Sequence, residues 1–144
     1  MKLLEIVREL QGEILNIGKP VKTVQQAVRE TYANPAQIIK SLVLLSEKGA
    51  LLVIVDGESK VNLEKLSKIF GKVRFASPKE VKKLTGYEVG AVPPVGIPFR
   101  TIVDPKVLKN EYVIGGGGRI DRLIRISPEK IVEYQRALIM DVSL

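Results

Sequence analysis

The chain has 144 residues, 45% of them hydrophobic and 27% charged, and a formal net charge of +7. That length fits one domain over residues 1–144, large enough to bury a core without metal or disulfide staples. Cysteine and histidine are both absent, which excludes disulfides, thiolate nucleophiles, zinc sites built on these ligands and any mechanism needing an imidazole base.

No stretch approaches the roughly 20 consecutive apolar residues of a membrane span, and the acids inside the opening Met1–Leu10 pattern argue against a secretory signal. The expectation is a cytoplasmic protein with no membrane partner and no cofactor. Its positive charge attracts polyanions; it fits a solvated surface equally well.

In chain order, Leu3, Leu4, Ile6, Val7 and Leu10 form the stripe of a short amphipathic helix, ended by Gly12. Residues 13–22 are strand-like but interrupted by Gly18 and Pro20. Thr23 and Gln26 have capping-box spacing and open a helix reaching Tyr32. Ile38–Leu45 and Leu51–Val55 read as central strands of a hairpin turned by Ser46–Gly49. Asn62 caps a helix through Phe70, a short strand covers Val73–Ala76, and Ser77-Pro78-Lys79-Glu80 starts a helix that stops at Gly86. Gly86–Pro98 is a loop stiffened by three prolines. Phe99–Val103, Glu111–Ile114 and Leu123–Ile126 are further strands, followed by a C-terminal helix with the stripe Ile131, Tyr134, Leu138. Strands outnumber crossover helices, so the pattern predicts an α/β (α+β) domain: a mixed, barrel-like curled sheet with helices outside. A doubly wound α/β fold is the alternative.

Lys40 is the lone charge in the run Ile38–Leu45. A buried ammonium without a partner is costly, so water, a carboxylate or an anionic ligand must meet it. Gly115–Arg119 lacks the Gly-Lys-Ser/Thr ending of a triphosphate-binding loop and precedes a strand, unlike the dinucleotide fingerprint. A kinase or dehydrogenase is therefore disfavoured.

Three segments carry a resemblance: Asn34-Pro35-Ala36-Gln37-Ile38-Ile39-Lys40-Ser41-Leu42, then Leu84–Gly96, then Tyr112-Val113-Ile114-Gly115-Gly116 with Asp121 beyond. Together they resemble the YbaK family, which includes the editing domain inserted in bacterial prolyl-tRNA synthetase and its free-standing relatives. The likeness runs from about Thr23 to Tyr134. It implies a YbaK-like fold and hydrolysis of the ester joining a wrong amino acid to the 3′ acceptor end of a tRNA. Prolyl-tRNA synthetase is an implied partner, and alanine on the tRNA for proline the first substrate expected.

The resemblance makes Lys40 the key residue; as a compact point charge it suits a phosphate or the oxygens of a terminal nucleotide. Gly90, Ala91 and Pro94 fall in the family's Gly-x-x-x-Pro loop, whose N–H groups would orient the ester carbonyl as oxyanion donors do elsewhere. Gly115 and Gly116 would complete the pocket, although four consecutive glycines also suit a mobile hairpin tip. Asp121 aligns with a family acid that binds the amino group or ribose; a surface ion pair with Arg119 or Arg122 is equally compatible. Ser41 sits on the opposite strand face from Lys40 and would act through its backbone.

The chain departs from cysteine-removing members at Thr23, where they carry an aromatic, and at Ile114, where they carry serine. Both positions touch the implied amino-acid pocket, and Thr23 also explains itself as a helix cap. The histidine of the prolyl-tRNA synthetase insert has no counterpart. An aminoacyl ester is already activated, so substrate-assisted hydrolysis without imidazole is chemically reasonable. A non-catalytic module binding an RNA 3′ end or a synthetase, and a phosphate sensor, are the competing readings. Lys65, Lys68, Lys72, Arg74, Lys79, Lys82 and Lys83 are candidate phosphate contacts, or simply the wet faces of two helices.

Overall fold

The computed structural model of the protein describes residues 2–144. Its elements are α1 (Leu3–Glu9), β1 (Glu13–Asn16), α2 (Val24–Thr31), β2 (Ile39–Ser46), β3 (Gly49–Asp56), α3 (Leu63–Phe70) and β4 (Val73–Phe75). There follow α4 (Pro78–Thr85), β5 (Arg100–Val103), β6 (Val113–Gly116), β7 (Arg122–Ile126), α5 (Pro128–Gln135) and β8 (Leu138–Ile139). No helix among the described residues is long and apolar enough to cross a membrane.

A mixed five-stranded sheet has the order β4-β2-β3-β5-β8, with β2 antiparallel to both neighbours and β5 parallel to β3 and β8. A three-stranded antiparallel sheet, β1-β7-β6, stands beside it. The two meet at a single parallel bridge, Ile38 to Ile114. This is the expected mixed α/β architecture, but the curled sheet does not close into a barrel, because between that bridge and β4 the edge of β2 is unpaired.

The central strands are apolar on both faces because both are covered. Ile39, Val43, Leu52 and Ile54 pack with Ile124 and Ile126 of the small sheet and with Val7, Val81 and Ile131 from three helices. The opposite face buries Leu44, Leu51, Val53 and Val55 against Leu66 and Phe70 of α3. Each such side chain contributes about 1.5–3 kcal/mol of burial free energy. A smaller cluster under α2 joins Val21, Ala27, Ile38, Ile114 and Leu123.

Local signals behave as expected at the caps. Thr23 accepts from the Gln26 N–H while Gln26 accepts from the Thr23 N–H, and Ser77 with Glu80 repeats the arrangement. Three expectations need correction. The first helix is turned by Gln11, at φ 60°, while Gly12 is needed for close approach, since a Cβ there would stand 2.9 Å from the Arg125 carbonyl oxygen. The last helix ends at Gln135, because Arg136 at φ 51° redirects the chain and Leu138 pairs beside Ile102 in β8. Of the predicted stripe only Ile131 is buried, while Tyr134 and Leu138 are exposed. Finally, β6 begins at Val113 and runs through Gly115 and Gly116, so these glycines are strand and not hairpin tip.

Candidate active site

An opening in the large sheet creates the site. Leu45 lies opposite Arg74 of β4, and the Val43 carbonyl accepts from the Ala76 N–H at 3.0 Å. Odd-numbered residues of β2 therefore turn their backbone groups away from β3. Pairing with β4 stops at Leu44, and the bridge to β6 falls at Ile38. Between these points the Ser41 N–H and C=O face an unpaired edge, and the Ser41 hydroxyl is buried without a partner among the described residues. A cleft of about 480 Å³ lies over this edge, with residues from both faces of β2 in its lining, among them Ile39, Lys40, Ser41 and Leu42.

Lys40 is half-buried on the face shared by Leu42 and Leu44. Its Nζ donates to the Ser59 carbonyl at 2.5 Å. The Ser59 hydroxyl donates to Asp56 Oδ1, and the Glu58 N–H donates to Asp56 Oδ2 at 3.2 Å. Asp56 itself is 5% exposed. Burial pushes the Lys40 ammonium below its usual pKa, the Asp56 charge pulls it back up, and Lys60 pushes it down. Lys40 forms no ion pair among the described residues, so part of its donor capacity is left for a ligand in the cleft.

Two glycine-bearing segments close the other side. Gly90, at φ 88°, lines the cleft and lies so near Lys22 that a Cβ would stand 3.0 Å from its carbonyl oxygen. Gly115 and Gly116 line it too. A Cβ on Gly115 would meet Ile39 at 3.0 Å, and one on Gly116 would fall 2.4 Å from the Val92 carbonyl oxygen. The Gly118 N–H donates to the Ala91 carbonyl at 2.9 Å, so the two segments are knit into one wall. Ala91 and Pro94 are buried behind that wall, Pro94 lying 3.6 Å from a Cβ built on Gly115.

The remaining candidates divide. Thr23 and Ile114 line the cleft, Thr23 while capping α2. Asp121 does not: it pairs with Arg119 at 3.0 Å and borders a separate shallow depression with Lys19, Lys22 and Arg119. Its carboxyl is held below the usual range by that guanidinium. Of the basic side chains, Lys79, Lys82 and Lys83 ride on α4, whose Pro78 and Val81 line the cleft. Lys65 sits on α3 across the sheet and is bound to Asp141 and the Ser143 carbonyl. Sequence reasoning did not find Asp56 and Ser59, although Asp56-Gly57 after an apolar strand is a recognisable turn. It also missed Lys22, Phe75 and Val89 in the lining, for which no local signal exists.

The profile of the aminoacyl-tRNA editing domain family matches residues 18–134. The chain belongs to that family. The editing-domain chain superposes on the crystal structure of hypothetical protein APE2540 with a TM-score of 0.92, at 35% identity, covering 100% of both chains. A proposed trans-editing enzyme for prolyl tRNA synthetase gives 0.87 at 28% identity, with 100% of this chain and 98% of that one covered. The proline–tRNA ligase of Thermodesulfovibrio yellowstonii is 35% identical over 82 residues, 56% of this chain. The match spans only 14% of that ligase.

Proposed function

We propose that this editing-domain chain, acting as one unit, is a deacylase that hydrolyses the ester between an amino acid and the 3′ end of a tRNA. The observation that carries the reading is the convergence of Lys40, the unpaired Ser41 backbone groups, Gly90 and Gly115–Gly116 on one cleft. Lys40 anchors the oxygens of the terminal nucleotide. Backbone N–H groups from Ser41 and the Gly90 segment receive the ester carbonyl and stabilise the oxyanion formed when water adds to its carbon. Collapse breaks the bond to the ribose oxygen, and the neighbouring ribose hydroxyl relays the water's proton to that leaving oxygen. The amino acid leaves as the acid and gives its remaining proton to solvent water to become a carboxylate, with no imidazole or thiol required.

Ile39, Val43 and Ile114 give the cleft an apolar lining suited to a small side chain. The likeness to proline–tRNA ligases supports alanine on the tRNA for proline as the substrate, and prolyl-tRNA synthetase as the enzyme whose errors are removed. The test is a panel of tRNAs charged with matched and mismatched amino acids. Release of alanine from the proline tRNA well above the buffer rate is expected, and no release from any member overturns the proposal.

A further inference from the structure

Phe75 is the last residue of β4 and lies at the rim of the cleft with 48% of its surface exposed. It stands opposite Leu44, and opposed residues in an antiparallel pair share a face. The ring therefore belongs to the face that carries Leu42 and Lys40. Four residues of strand separate Lys40 from Leu44, about 13 Å at ~3.3 Å per residue, a span that one nucleoside bridges only together with the reach of the Lys40 stem and the Phe75 ring at its two ends.

The chemistry around this line is one-sided. The charged side chains lining the cleft, among the described residues, are Lys22 and Lys40, with no carboxylate. On the adjoining α4, Lys79 and Lys83 have no ion-pair partner among the described residues, while the nearby Glu80 is neutralised by Arg74. A half-exposed aromatic ring on the same sheet face as the Lys40 ammonium is what a nucleotide uses: the base stacks and the phosphates find charge.

We infer that Phe75 is the stacking platform for the base of the RNA's 3′-terminal nucleotide, placing the ribose and its ester towards Lys40. The inference rests on the deacylase reading for the orientation of the nucleotide but not for its binding. Its test uses an uncharged acceptor-stem hairpin carrying 2-aminopurine as its last base. The wild-type protein is expected to quench this fluorophore, and Phe75→Trp and Phe75→Tyr to preserve the quenching. Phe75→Leu keeps an apolar side chain at the same strand position; it should lose the quenching and weaken the dissociation constant about tenfold. Equal quenching and affinity for Phe75→Leu and wild type, or no quenching by wild type, overturns the platform. Quenching that depends on Phe75 in a protein inert towards every charged tRNA would instead retain the platform and sink the deacylase reading.

Discussion

The Lys40 ammonium is held against the carbonyl of Ser59, and Ser59 is in turn held by the buried carboxylate of Asp56. A flexible four-carbon stem thus ends at a fixed point on the rim of the cleft, with little rotamer freedom left to lose on binding. Removing the charge with Lys40→Ala is expected to lower single-turnover deacylation by roughly 10²–10³-fold, the loss seen for deleted electrostatic donors elsewhere. Lys40→Arg should recover little, because a planar fork cannot replace a compact charge held against one carbonyl. Unchanged rates in Lys40→Ala would remove lysine from the mechanism.

Burial is the main influence on Lys40 and lowers its pKa from the ordinary 10.5. Activity that needs the charged form should decline as pH rises through the lowered value. The Asp56 charge opposes the shift, so Asp56→Asn should move that decline to lower pH. The stability linkage has the opposite sense: between the folded value and 10.5 the unfolded chain binds more protons, so stability from this group increases with pH across that window. Carbon-13 methyl labelling of lysines, followed by NMR titration, reads the Lys40 midpoint directly. An unmoved midpoint in Asp56→Asn contradicts the electrostatic coupling.

Gly116 and Gly115 make contrasting variants. A methyl on Gly116 collides with backbone, the Val92 carbonyl oxygen at 2.4 Å, and nothing flexible can yield. Gly116→Ala should cost about 1–3 kcal/mol and separate the two segments of the wall. On Gly115 the nearest atoms belong to the Ile39 side chain at 3.0 Å, which can rotate. Gly115→Ala should therefore retain more of its stability in urea melts while narrowing the cleft and reducing turnover. The reverse order of stabilities would refute this account of the wall.

Glu80 receives two guanidinium bonds from Arg74, at 2.8 and 2.9 Å, and its carboxyl is lowered to about 2 from 4.5, mainly by that interaction. A depressed carboxylate contributes stability above its unfolded pKa and loses it as pH falls through the folded one. The contribution should therefore persist at mild acidity and disappear near pH 2. Side-chain NMR of Glu80 should show this midpoint, and Arg74→Ala should return it towards 4.5. A midpoint near 4.5 in the unmodified protein would show that the pair is not formed in solution.

Features written by neighbours in sequence were legible. The capping boxes at Thr23 and Ser77 need only residues three apart, and the β2–β3 hairpin needs only two apolar runs and a short turn. Lys40 could be singled out because a lone charge in a buried run demands explanation. Features set by distant partners were not legible. Gly115 and Gly116 have poor strand propensity, yet they extend β6 where Ile39 crowds the first and the Ala91–Val92 backbone leaves no room for a side chain on the second. Leu138 left the helical stripe for β5, a strand more than thirty residues earlier, at about the spacing of a βαβ crossover. The gap between β4 and β6, which exposes Ser41, depends on three strands at once and has no signature in any one of them.

The pairing of Glu13 with Arg125, 112 positions apart, ties the sheet that carries the glycine wall to an early segment of the chain. Contacts of such separation close late, since chain entropy must be surrendered before they reward it. The β2–β3 hairpin can form early on its own residues, whereas the wall bearing Gly115 and Gly116 belongs to the sheet whose β1–β7 seam joins segments more than a hundred residues apart. The strand that bears Lys40 can thus order on local contacts before the sheet that faces it across the cleft is complete.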